Sequence, residues 1–156
     1  MLRLSKKTDY GLLALQYLAN EAPAGVASAR AIAERYDIPV ELLAKVLQHL
    51  ARQGFVAAHK GAHGGYHLTR PAATISLADI VEAIDGPLAI TACGSKDDPC
   101  DQFGACTVRD PLGRVRNRIL TVLQTTTLAE MGESAAAVPV TVSRGGPGGV
   151  VPVSAR

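Results

Sequence analysis

Ser28-Ala-Arg-Ala-Ile-Ala-Glu-Arg-Tyr-Asp-Ile-Pro39-Val-Glu-Leu-Leu-Ala-Lys-Val-Leu-Gln-His-Leu-Ala-Arg-Gln-Gly54 is the stretch on which the fold turns. Ser28 is a favoured N-cap, because its hydroxyl can accept one of the orphan amides of a helix start, and a short helical run from Ala29 to Tyr36 follows it. Asp37-Ile38 reads as a turn. Pro39 suits the first position of a second helix, where its missing N–H has no bond to lose. That helix extends to about Gln53, with Gly54 as its C-cap. Leu42, Leu43, Val46, Leu47 and Leu50 fall on one face, and Glu41, Ala44, Lys45, Gln48 and Arg52 on the other. A short helix, a tight turn and a longer helix with a polar outer face make a helix-turn-helix.

Helical hairpins are common, and the residues that follow sharpen the reading. Phe55 to Lys60 reads as a strand, Gly61-Ala-His-Gly-Gly65 as a glycine turn and Tyr66 to Thr69 as a returning strand. A hairpin directly after a recognition-type helix is a wing, although a hairpin can also simply pack on the helices. Lys60 and His63 lie among glycines at its tip, small enough for close approach to a minor groove. Net charge is only +2, so bulk charge does not announce a nucleic-acid partner. Its distribution does: from Ala44 to Arg70 there is no acidic residue, while Lys45, Arg52, Lys60, Arg70 and all four histidines fall there.

Upstream, Leu12, Leu13, Leu15, Tyr17 and Leu18 give the first helix a broad apolar surface, so it is expected to be mostly buried. Arg3, Lys6 and Lys7 precede it and suit phosphates as well as they suit solvent. Asp9 lies in its first turn, where a carboxylate is favoured by the helix dipole. Residues 21–27 form a connector. Downstream, Pro71 to Thr74 reads as a loop and Ser76-Leu-Ala-Asp79 as a capping box. Leu77, Ile80, Val81 and Ile84 are the packing stripe of the helix it opens, and Gly86-Pro87 stops that helix. Asp110-Pro111 supplies an N-cap and first-turn proline for a further helix, whose Leu112, Val115, Ile119 and Val122 form a narrow apolar seam. That seam suits a second copy of the chain, which would space two recognition helices for a palindromic site. Thr127 to Met131 reads as a last helical turn.

The expected architecture is therefore mainly α with a small β-wing: a winged helix-turn-helix plus a long C-terminal dimerisation helix. Residues 1–87 form the DNA-binding domain, 88–109 a cysteine loop, 110–132 the dimerisation helix and 133–156 a disordered tail rich in Gly, Pro, Ala, Val and Ser. The core is aliphatic, since 156 residues include two Phe, four Tyr and no Trp.

All three cysteines, Cys93, Cys100 and Cys106, lie in the loop, where Gly, Asp and Pro disfavour regular structure. Their spacing is too open for zinc-finger knuckles. Three thiolates plus one ligand from elsewhere suit an iron–sulfur cluster, with zinc second and three unconnected thiols as the plain alternative. There is no secretory pattern at the start and no apolar run near the roughly 20 residues that a membrane helix needs. A cytoplasmic location is expected, where cysteines serve metal or redox duty more often than structural bridges. The four histidines, His49, His59, His63 and His67, are not set with a nucleophile and a carboxylate, so no enzyme is expected.

Three segments carry a resemblance: Met1-Leu-Arg-Leu-Ser-Lys-Lys-Thr-Asp-Tyr-Gly11, Lys60-Gly-Ala-His-Gly-Gly-Tyr66 and Ile75-Ser-Leu-Ala-Asp-Ile-Val-Glu-Ala-Ile-Asp-Gly-Pro87. With the three cysteines, they make residues 1–131 resemble the Rrf2 family of bacterial winged-helix regulators. That family includes iron–sulfur biogenesis repressors and the nitric-oxide-sensing repressor NsrR, and the likeness is greatest to regulators of the SUF cluster-assembly operon. The resemblance implies a cytoplasmic homodimer and transcriptional repressor, with a 2Fe-2S or 4Fe-4S cluster in each cysteine loop controlling affinity for operator DNA. It implies Cys93, Cys100 and Cys106 as ligands and, as in NsrR-like members, Asp9 of the partner subunit as the fourth. A histidine ligand used by one branch is Arg109 here, and the first cysteine spacing is one residue longer than in many members. The DNA surface so implied comprises Ser28, Pro39, Val40, Glu41, Ala44 and Lys45, with the last three at base edges. Lys60 and His63 would enter the minor groove, and Arg3, Lys6, Lys7 and Tyr66 would hold the backbone. The competing expectation is a winged-helix regulator that uses a thiol or zinc switch without iron.

Overall fold

Leu15, Leu47 and Leu128 are far apart in the sequence, and all three are fully buried in one core. In the computed structural model, residues 4–22, 25–61, 64–87 and 105–132 are described. Arg3, His63, Cys93, Cys100 and the tail expected over 133–156 lie outside them.

Helix α1, Lys6–Asn20, is central and packs on the third, fourth and last helices. Ser5 caps it, its Oγ accepting from the Thr8 amide at 3.2 Å. Leu15 and Leu18 are buried and Leu12 and Tyr17 half-buried, but Leu13 is exposed, so the buried stripe is narrower than the run of leucines suggests. Gly11 lies under α4: a Cβ there would stand 2.5 Å from Cδ1 at the end of the Ile84 side chain. A mid-helix glycine costs about 1 kcal/mol relative to alanine, and here the close packing offsets it.

Helix α2, Ala29–Tyr36, is capped by Ser28, whose hydroxyl accepts from the Ala31 amide at 3.1 Å. Asp37 closes it in the left-handed region, at φ 52° and ψ 46°, a conformation that aspartate tolerates better than most residues. Helix α3 spans Val40–Arg52. Pro39 is therefore its N-cap rather than its first helical residue: with ψ near 121° it is still extended, and its carbonyl accepts from Leu42 and Leu43. Gln53 is the C-cap and Gly54, at φ +80°, stands one residue beyond it. The Phe55 amide donates to Leu50 and the Gly54 amide to Ala51, a Schellman closure that turns the chain into the wing.

The wing is a two-stranded antiparallel sheet of β1, Val56–His59, and β2, Gly65–Leu68. The first strand is shorter than the expected Phe55–Lys60, and the second has the expected length but begins and ends one residue earlier. Val56 pairs with Leu68 and His59 with Gly65. The connector adds a third edge, since Ala27 and Tyr66 exchange backbone hydrogen bonds of 3.0 and 2.8 Å. Residues Ala72–Thr74, expected as loop, form one turn of 3-10 helix, with the Thr74 hydroxyl donating to the Pro71 carbonyl.

Helix α4, Leu77–Asp85, opens on the expected capping box of Ser76 and Asp79 and stops at Gly86. Ile80 and Val81 are buried as expected, but Ala78 is buried beside them while Leu77 and Ile84 are half-buried. Helix α5, Arg109–Thr125, starts one residue before Asp110. Val108 is its N-cap, so Asp110 acts through its charge in the first turn and not as the cap. None of its residues is buried. The short α6, Leu128–Gly132, then returns beneath α1. The Leu77 and Leu128 amides donate to Thr126 and Ile75, and Gln16 Nε2 donates to the Leu128 carbonyl at 2.6 Å.

Candidate nucleic-acid interface

The α3 side chains divide as an amphipathic helix requires. Leu43, Val46, Leu47 and Leu50 face the core, while Glu41, Lys45, Gln48 and Arg52 are exposed. Ala44 is half-buried between the two sides, and Pro39 and Val40 are exposed at the start of the helix. Ser28 is exposed at the start of α2, but its hydroxyl is already engaged as a cap, leaving its other lone pair for a ligand.

Lys6 and Lys7 are exposed on the first turn of α1, and Lys60 is exposed directly after β1. Tyr66 is placed differently. It is half-buried, it packs against the core, and its backbone holds Ala27, so it belongs to the base of the wing. His49 is half-buried: its Nε2 lies 2.7 Å from the Ala83 carbonyl, to which a ring N–H donates, tying α3 to α4.

Of the four candidate cluster ligands, the described residues contain Asp9 and Cys106. Asp9 is exposed, and among the described residues no hydrogen bond or ion pair engages its carboxylate. Cys106 is a free, half-buried thiol. An accessible oxygen donor and an accessible sulfur donor are of the types that iron accepts. Among the described residues no three His, Cys, Asp or Glu side chains gather into a metal-binding group. Arg109 Nε is 3.1 Å from Asp110 Oδ1, a position that offers no metal ligand.

One feature of the site has no signal in local sequence pattern. Asp85, the last residue of α4, accepts at Oδ1 from the Ser5 hydroxyl at 2.5 Å and at Oδ2 from the Ser5 amide at 3.1 Å and the Thr8 hydroxyl at 2.7 Å. Thr8 is fully buried. Partial desolvation against α1 pushes the exposed Asp85 carboxyl up, but the hydrogen bonds from Ser5 and Thr8, with Lys7 nearby, outweigh it and hold the group below the usual carboxylate range. The opening Leu-Ser-Lys-Lys-Thr-Asp segment and the Asp-Gly-Pro at the end of α4 thus meet in space.

Comparison with known proteins gives a consistent picture. A family model described as Rrf2, iron-dependent transcriptional regulator, matches residues 4–134. CymR, the global cysteine regulator of B. subtilis, superposes with a TM-score of 0.70 at 27% identity, over 85% of this chain and 97% of its own. CymR from Staphylococcus aureus has a TM-score of 0.63 at 31% identity, over 83% of this chain and 97% of its own. IscR from T. potens has a TM-score of 0.64 at 28% identity, over 83% and 85% of the two chains.

Proposed function

Since this chain belongs to the Rrf2 family of transcriptional regulators, which bind DNA through a winged helix, we propose that it represses iron–sulfur cluster assembly genes and senses cluster status, oxidative or nitrosative stress. The observation that carries the DNA-binding part is the outward face of α3, with Lys45, Gln48 and Arg52 exposed, flanked by exposed Lys6, Lys7 and Lys60. The amphipathic helix supplies base-edge contacts and the lysines supply phosphate contacts. Glu41, Ala44 and Lys45 read bases, Val40 offers an apolar contact to a thymine methyl, and Ser28 and Pro39 approach the backbone. Lys60 and His63 enter the minor groove, while Arg3, Lys6, Lys7 and Tyr66 hold the backbone. A regulator of this kind works in the cytoplasm as a binder and not as an enzyme.

Cys93, Cys100 and Cys106 with Asp9 would hold a 2Fe-2S or 4Fe-4S cluster. When bound, the cluster supplies iron that is exchangeable at its carboxylate ligand, because a hard oxygen donor holds it less firmly than thiolate. Asp9 stands on the same helical turn as Lys6 and Lys7, so the residue that ligates and the residues that grip DNA move as one body. The exposed α5 seam pairs with a second copy and gives the homodimer that a pseudo-palindromic operator needs.

Anaerobically purified protein tests this reading. Brown colour, visible absorption, acid-labile sulfide and an operator affinity that changes on cluster loss support it, and Asp9→Ala is expected to shorten cluster lifetime. An unchanged spectrum and lifetime in that variant would remove Asp9 from the ligand set. A second reading, a thiol or zinc switch without iron, is favoured by the likeness to the cysteine regulator CymR. Colourless protein whose DNA affinity responds to thiol oxidation or to zinc would establish it.

A further inference from the structure

We propose that Asp85 is a positioning residue for DNA binding. Its carboxylate fixes the first turn of α1 to the end of α4, so that the chain running on to the cysteines sets where Lys6 and Lys7 stand. The inference rests on the regulator reading above and adds the contact through which cofactor state reaches the DNA surface.

The geometry is specific. Three donors converge on one carboxylate, and both of its oxygens are used. Two of those donors, the amide and hydroxyl of Ser5, belong to the residue that caps α1, and the same Ser5 Oγ accepts from the Thr8 amide. Releasing Asp85 therefore frees the cap as well as the contact. Ser5 and Thr8 bracket Lys6 and Lys7, and Asp9 follows directly. The neighbour of Asp85 adds a second point of engagement, because Ile84 Cδ1 packs directly over Gly11, 2.5 Å from where a Cβ would stand. The last two residues of α4 thus grip α1 at its first turn and one turn further on. Beyond Asp85, Gly86 takes φ +84° and the sequence continues to Cys93. A displacement of that end of α4 carries the first turn of α1 with it, because packed elements shift between discrete arrangements and do not deform freely.

A neutral amide replaces the carboxylate only in part. Asparagine keeps one acceptor oxygen and turns an NH2 toward the other donors, so the Ser5 hydroxyl has to reverse and accept, and the charge that strengthens all three bonds is gone. Thr8→Val removes a single donor from the other side and keeps the shape. The test uses full-length Asp85→Asn and Thr8→Val proteins and a labelled DNA duplex selected on the wild type. Affinity is measured by fluorescence anisotropy for cluster-loaded and cluster-stripped protein, and hydrogen exchange is followed in the stripped protein. In both variants we expect the ratio of the two affinities to fall roughly tenfold toward one, within the usual range of coupling between sites. Amides of residues 5–9 will exchange faster while those of Leu43 to Leu50 keep wild-type protection. A wild-type ratio in either variant overturns the proposal alone, as does faster exchange that spreads through α3. If wild-type protein itself gives a ratio of one, the cluster-sensing reading falls and this proposal falls with it.

Discussion

The Gly65 α-carbon lies so close to the Ala27 carbonyl that no side chain fits between them. The contact sits beside the pair of backbone hydrogen bonds that joins Ala27 to Tyr66, so it decides whether the connector before α2 can lie against the wing. Gly65→Ala forces a side-chain carbon against the Ala27 backbone, and overpacking of this kind costs about 1–3 kcal/mol. A melting temperature lower by several degrees, measured by calorimetry, checks this. Unchanged stability would mean that the connector moves aside at no cost.

Lys60 is exposed immediately after β1 and has no acidic neighbour in sequence from Ala44 to Arg70. Lys60→Ala is expected to weaken operator binding and to lower the slope of log K against log salt by about one per subunit, the signature of one lost phosphate contact. Affinity titrations at several salt concentrations measure it. An unaltered slope would place the wing off the DNA.

Leu112, Val115 and Val122 are 42%, 49% and 61% exposed in the single chain, although all three are apolar and lie along one seam of α5. A charge placed there has little to disturb within one chain, where exposed substitutions stay within about 0.5 kcal/mol. Val115→Glu will therefore leave the fold intact and halve the mass measured by sedimentation. A variant that remains dimeric would put the partner surface elsewhere.

The depressed Asp85 carboxyl has a consequence at low pH. Because its folded value lies below the unfolded one, its contribution to stability is fully present above the unfolded pKa and is lost as pH falls through the folded value. The group is exposed, so the effect is small after solvent screening. Thr8→Val removes one of the bonds that favour the ionised form, and the Asp85 midpoint followed by NMR is expected to rise. A fixed midpoint would show that Thr8 does not hold the charge.

The parts of the fold that rest on local chemistry are legible in the sequence. Ser28 and Ser76 are the caps they read as, and the leucine face of α3 follows from a 3.6-residue period. Helix starts are less sharply written. Pro39 and Asp110 each fit more than one position of a first turn, and both are displaced from the expected one. Lys45 is exposed on the outer face of α3 and Lys60 beside the wing, as periodicity and charge imply, while Lys6 and Lys7, expected ahead of the first helix, lie in its first turn. Tyr66 and His49 are half-buried, and each has a long-range partner that no local pattern carries: the Tyr66 main chain pairs with Ala27 and the His49 ring bonds the Ala83 carbonyl. The Ser5–Thr8–Asp85 cluster spans 77 to 80 positions of chain, and no local pattern carries a contact of that range.

The antiparallel bridge between Ser76 and Thr127 brings the two ends of the intervening segment together, and Leu128 lies wholly inside the core beneath α1. That makes α5 a handle fastened at its C-terminal end to the reading head. A fragment cut off after Pro87 would leave a hole where Leu128 belongs. A chain merely nicked within the handle would keep its closing peg and survive as two noncovalently joined pieces.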